Sequence, residues 1–254
     1  MSEVPILPAA TILLVRDDPF EVLMVRRHHQ IDFASGALVF PGGKIHAGDH
    51  DPRWIDRTVG WDGIEADKRP LRIAAIREAY EESGILLAQH ADGSPYRADE
   101  RAHQARDAIA KDERSFFDLI EELDLKLDLA ALTVFARWIT PPLTPKRFDT
   151  WFYAAAAPAD QVASCDGWET VDAEWIEPLE VLRLAAAKQR TVIFPTRMNV
   201  QLLAEATSTA DLIARCEARP LVTVLPEVQG DFLVIPDNAG YGVVREPMSA
   251  VRGG

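Results

Sequence analysis

Three glutamates crowd into one short run, Arg77-Glu78-Ala79-Tyr80-Glu81-Glu82-Ser83-Gly84-Ile85. On a helix of 3.6 residues per turn, Glu78 and Glu82 stack on one face and Glu81 adjoins them. Like charges at that spacing destabilise a bare helix by about a few tenths of a kcal/mol, and acids at the negative end of the helix dipole add to the cost. A hard divalent cation would offset it, because Mg²⁺ prefers carboxylate oxygens and keeps waters in its remaining octahedral positions. The competing reading is a solvated acidic face, the commoner explanation for an isolated E-x-x-E-E. The complete run weighs against that, since R-E-x-x-E-E-x-G-aliphatic arises by chance in roughly one chain in ten thousand.

These glutamates need a helix. From Pro70 to Ser83 the apolar residues Ile73, Ala74, Ile76, Ala79 and Tyr80 recur at helical spacing, and Gly84 is placed to end it. Upstream, residues 11–15 and 21–26 read as a hairpin around Arg16-Asp17-Asp18-Pro19, and Ala37-Leu38-Val39-Phe40 as a short strand running into Pro41-Gly42-Gly43. The two glycines permit a tight turn and close approach of backbone to a ligand. Residues 99–132 read as a helical insert, and strands are expected at 133–139, 149–157 and 170–176. Helices follow at 177–189, 199–206 and 210–217, then strands at 221–225 and 232–235. The pattern predicts an α/β fold, a mixed β-sheet sandwiched between helices.

The 254 residues carry a formal charge of −13, which argues against non-specific nucleic-acid binding. It also repels anionic substrates, so an acidic protein handling diphosphates needs a cation to bridge them. The opening residues lack a basic segment followed by a long apolar one, and no run approaches bilayer length, so a cytoplasmic protein without a membrane partner is expected. Cys165 and Cys216 lack zinc-ligand spacing and read as idle thiols.

The run from Arg77 to Ile85 matches the second half of the Nudix box, G-x₅-E-x₇-R-E-U-x-E-E-x-G-U with U aliphatic, and Phe40-Pro41-Gly42-Gly43-Lys44 resembles its start. The box is interrupted: 33 residues separate Gly43 from Arg77, where the motif has thirteen. Counting back from Arg77 puts Arg69 where the family has its first glutamate. With Trp138-Ile139-Thr140-Pro141 and Arg147-Phe148-Asp149-Thr150, the chain resembles the coenzyme A and acyl-coenzyme A diphosphatase subfamily, nucleoside diphosphate-linked moiety X motif 19-like.

The resemblance implies a Nudix fold with an insertion in the box and extra helices. It places the Nudix domain at 5–182, with inserts at about 44–66 and 97–131, and a C-terminal extension at 183–254 packed on the same domain. It implies Mg²⁺ or Mn²⁺ held by Glu78 and Glu82, with Glu81 and the Gly43 carbonyl as further ligands, and a catalytic set of Glu81, Glu82 and Arg77. Arg77 suits the orienting of a glutamate, because its planar fork matches a carboxylate. Candidates for the general base are Glu81, Glu169 and Asp149, the last two being equally readable as solvated loop acids. Gly42 and Gly43 would approach the substrate, and Arg147 and Lys146 would hold a terminal phosphate or be plain surface charge. The implied substrate is coenzyme A or an acyl-coenzyme A. The rivals are ADP-ribose or NADH, and a non-catalytic nucleotide-binding module. A homodimer is expected by analogy. His28 and His29 read as loop residues, and Trp138, Trp151 and Phe152 as core aromatics or a base-stacking surface.

Overall fold

The computed structural model describes residues 4–27, 36–165, 170–242 and 244–248. Strand β1 (Ile6–Arg16) turns into β2 (Glu21–Arg27). β3 (Leu38–Val39) pairs with β2, and β4 (Gly42–Lys44) lies antiparallel to β1, with Gly42 opposite Thr11 and Gly43 opposite Ala10. The interruption of the box then folds as three 3₁₀ turns, Ala47–His50, Pro52–Arg57 and Trp61–Gly63, with β5 (Thr58–Val59) between the second and third.

Helix α1 (Arg69–Ser83) follows, and Gly84 ends it in the left-handed conformation at φ 76°. Every residue from Ile73 to Ser83 is buried, because α1 is covered on both sides rather than along one stripe. After it come β6 (Ala88–His90), α2 (Glu100–Ala110), α3 (Phe116–Glu122), β7 (Leu125–Asp128), β8 (Thr133–Ile139), β9 (Arg147–Ala156) and β10 (Thr170–Ile176). The chain closes with α4 (Pro178–Ala186), α5 (Phe194–Leu203), α6 (Thr209–Ala218) and four short strands, β11 (Thr223–Val224), β12 (Glu227–Gln229), β13 (Phe232–Val234) and β14 (Arg245–Pro247).

The main sheet runs β10-β2-β1-β9-β8-β11, with β1 and β9 parallel at its centre. Successive side chains on a strand point to opposite faces. Ala10, Ile12 and Leu14 of β1, with Trp151 and Tyr153 of β9, therefore pack under α1, α2 and α3. Leu13, Val15, Phe152 and Ala154 pack on the other face, with residues of α4, α5 and α6. The expected sandwich of helices around a mixed sheet is thus present, and part of residues 183–254 builds its second helical layer.

Three expectations need correction. α5 spans Phe194–Leu203 rather than 199–206, with Pro195 tolerated in its first turn. The helical reading of 99–132 holds only to Glu122: Asp124 takes a left-handed φ of 50°, and Leu125-Lys126-Leu127-Asp128 alternates buried and half-buried as a strand. That strand joins β5 and β6 in a separate small sheet. β1 also starts five residues earlier than expected, because its parallel pairing with β9 extends back to Ile6 opposite Arg147.

Candidate functional site

The last turns of α1 bring Glu78, Glu81 and Glu82 together against β4, at 6%, 8% and 4% exposure. They are not a solvated face. The Gly42 N–H donates to Glu82 Oε2 at 3.0 Å. Gly43 lies so close to Glu78 that a Cβ there would stand 2.5 Å from Oε1, and a Cβ on Gly42 would meet Thr11 and the Ala10 carbonyl at 2.5–2.6 Å. Gly42 is therefore required by the close approach of β4 to β1, and Gly43 leaves room for the Glu78 carboxylate of α1.

Arg77 organises the cluster. Its Nε and Nη2 donate to Oδ1 and Oδ2 of Asp49, each at 3.0 Å, and Nη1 donates to Glu78 Oε1 and Glu81 Oε2, each at 2.9 Å. Nη2 also donates to the Lys44 carbonyl at 2.8 Å. Asp49, itself 3% exposed, additionally accepts the His46 N–H at 2.8 Å.

Asp49 is the site residue that the sequence reading missed, and it corrects the reading of position 69. Gly43 is followed by five residues and then Asp49, so the G-x₅-acid half of the box is in register when counted from the glycine. The extra residues fall after the acid, which is why counting back from Arg77 lands on Arg69. Arg69 instead donates from Nε to the carbonyls of Trp61 and Ile64, at 3.1 and 3.0 Å, and stacks over the Trp61 ring. It ties the insertion to the start of α1.

In these ion pairs one guanidinium answers three buried carboxylates, Asp49, Glu78 and Glu81. The crowding appears in the proton equilibria. Burial, then repulsion from Glu78, pushes Glu81 up to about 8 despite the opposing pull of Arg77. Burial alone would lower the Arg77 pKa, but Glu78, Asp49 and Glu81 outweigh it and raise it.

The Glu81 shift has a defined sign. Between its ordinary value of 4.5 and about 8, the unfolded chain is ionised while the folded one still holds the proton. This group's contribution to stability is therefore full below 4.5 and falls as pH rises to about 8. Glu81→Gln removes that loss, so the thermal midpoint of the metal-free variant, relative to wild type, should rise from pH 5 to pH 8.5. A difference that stays constant over that range would remove the assignment.

A divalent cation fits this chemistry: hard oxygen donors, buried and gathered on one face of α1. Among the described residues no three His, Cys, Asp or Glu side chains are disposed around one point as metal ligands. Mg²⁺ does not need such a cage, since it commonly binds through one or two carboxylates and completes its shell with waters and substrate phosphates.

Other candidates lie apart. Asp149, on β9, gives both oxygens to Arg137, at 2.9 and 2.6 Å. Arg147, whose Nε donates to the Thr140 carbonyl, and Lys146, which is exposed, sit where β8 turns into β9. Glu169, His28 and His29 lie outside the described residues. Thr170, next to Glu169 in sequence, donates its hydroxyl to the Glu82 carbonyl at 3.2 Å. Trp138, Trp151 and Phe152 are all buried in the core, as is Cys216; Cys165 is half-buried. Cavities of about 450 and 270 Å³, at Tyr96 and at Cys216, are lined by no residue of the acidic face.

A protein-family model described as the NUDT19 Nudix domain matches residues 65–201. Two curated proteins named acyl-coenzyme A diphosphatase NUDT19 are each 27% identical to this chain, one from Homo sapiens over 80% of the chain and one from Xenopus laevis over 64%. A putative nudix hydrolase 7 from Caenorhabditis elegans is 30% identical over 70% of the chain. The chain spans 65%, 54% and 54% of the lengths of these three relatives. Among solved structures, a NUDIX hydrolase from Alicyclobacillus acidocaldarius is similar with a TM-score of 0.73 at 26% identity, over 84% of this chain and 97% of that one.

Proposed function

The chain belongs to the NUDT19 Nudix domain family, and from that premise we propose that it is a divalent-cation-dependent hydrolase of a nucleoside diphosphate-linked substrate. The substrate is coenzyme A or an acyl-coenzyme A, cleaved by water at the diphosphate to 3′,5′-adenosine bisphosphate and the 4′-phosphopantetheine half. The observation that carries this reading is the buried set of carboxylates on α1, backed against Gly42 and Gly43 and held by Arg77. The names of the curated relatives support the choice of substrate.

Glu78 and Glu82 would hold Mg²⁺ or Mn²⁺, with Glu81 and the Gly43 carbonyl as further ligands. The metal would supply charge neutralisation at the diphosphate and would lower the pKa of a bound water. The chain's own part is placement. Arg77, fixed by Asp49, orients Glu78 and Glu81, and the Gly42 N–H orients Glu82.

For the general base, Glu169 and Glu81 remain the candidates of this proposal, since Asp149 has both oxygens committed to Arg137. Glu81 is itself bound to Arg77. Arg147 pairs with Ile6 and Gly43 with Ala10, so Arg147 lies about 13 Å along β1 from the glycine. That spacing suits contact with the nucleotide's terminal phosphate rather than with the diphosphate. No described helix is long and apolar enough to cross a membrane. A cytoplasmic setting and a homodimer belong to the same proposal.

Product analysis with coenzyme A, an acyl-coenzyme A, ADP-ribose and NADH under Mg²⁺ tests the reading. 3′,5′-Adenosine bisphosphate should form from the coenzyme A substrates at the highest kcat/KM. Faster cleavage of ADP-ribose or NADH would reassign the substrate, and binding without turnover would make this a nucleotide-binding module.

A further inference from the structure

Three consecutive backbone carbonyls at the end of α1 are taken up by donors from outside the helix. Arg106 Nε donates to the Glu81 carbonyl at 2.9 Å, the Thr170 hydroxyl to that of Glu82 at 3.2 Å, and the Ser164 N–H to that of Ser83 at 2.9 Å. Arg106 Nη1 also donates to Ser164 Oγ at 3.0 Å, which joins two of these donors. Arg106 comes from α2 and is 3% exposed. The absence of a side chain at Gly84 makes room for it, since a Cβ there would lie 3.3 Å from Arg106 Nη1.

The last carbonyls of a helix lack partners within it and carry the negative end of its dipole. In this protein the same end bears Glu78, Glu81 and Glu82, so unpartnered carbonyls and buried carboxylates would repel one another. The buried Arg106 guanidinium answers the carbonyl of Glu81. The two glutamates nearest the helix end are also pinned twice: Glu81 by Arg77 at its side chain and Arg106 at its backbone, Glu82 by Gly42 and Thr170.

We propose that Arg106 is a positioning residue for the acidic face, through which the inserted helix α2 sets the rotation and height of the last turn of α1 and so the geometry in which its carboxylates take a divalent cation. The metal part of this rests on the proposed function. The clamp itself does not.

The test compares Arg106→Met and Arg106→Lys with Ile109→Ala, which opens a cavity on the same helix at a buried residue whose apolar side chain donates to none of the three carbonyls. Mn²⁺ binding by calorimetry, kcat and KM, and the urea midpoint are measured for each. Arg106→Met should weaken Mn²⁺ binding about tenfold and lower kcat about tenfold with KM within about twofold. Arg106→Lys should recover part of both, and Ile109→Ala should lose stability while leaving both within about twofold. Unchanged Mn²⁺ affinity and kcat in Arg106→Met, or equal losses in Ile109→Ala, would overturn the proposal. If wild type binds Mn²⁺ but cleaves no diphosphate, the hydrolase reading fails and the Mn²⁺ titration still decides. If it binds no Mn²⁺, amide exchange over residues 78–86 decides: faster exchange in Arg106→Met than in Ile109→Ala supports the clamp, and equal exchange overturns it.

Discussion

Glu82→Gln is expected to lower kcat by about a hundredfold or more, with a much smaller change in KM. The substitution keeps the shape of the side chain, and its amide oxygen can still accept the Gly42 N–H now received by Glu82 Oε2. What it removes is the negative charge, which is what a hard cation binds. The fold should not suffer: neutralising one carboxylate in a buried acidic cluster relieves repulsion, so the urea midpoint should hold or rise. That combination separates a ligand from a structural residue. A kcat within about threefold of wild type at saturating Mg²⁺ would remove Glu82 from the metal site.

Arg77→Met should have the largest effect on stability, about 3–5 kcal/mol in metal-free protein at pH 8, because removing one partner of a buried ion pair strands the others. Here the stranded groups are Asp49, Glu78 and Glu81. They can escape only by taking up protons, so the deficit should shrink at pH 5, and saturating Mg²⁺ should recover part of it at pH 8. Denaturant midpoints at the two pH values, with and without Mg²⁺, measure both effects. Asp49→Ala should fall in the same direction but less far, since Arg77 keeps Glu78, Glu81 and the Lys44 carbonyl. Equal stability of Arg77→Met and wild type at pH 8 would show that the guanidinium does not balance the cluster.

The two inserts behave differently from what their sequences suggest. The stretch after Gly43 has no readable period, yet it delivers Asp49 to Arg77 and uses Arg69 to anchor its far end. The stretch from 99 to 132 has a readable helical period, but that period cannot say that Arg106 will reach the end of α1, nor that Leu125–Asp128 will leave the helix to pair with β6. Strand pairing and long side-chain reach depend on what lies opposite, and a window along the chain does not contain that information.

The sequence by itself determined the stacking of Glu78 over Glu82, because helical geometry is a property of consecutive residues, and it determined the family through the spacing of Arg77, the glutamates and Gly84. It also placed glycines where β4 comes close to β1 and to the Glu78 carboxylate. Only the tertiary structure decided that the acidic face is buried, that Asp49 joins it through Arg77, and that Arg106 closes the helix end. Those facts rest on contacts between residues 28 and 25 positions apart in the chain, formed by packing around the insertions rather than by local preference.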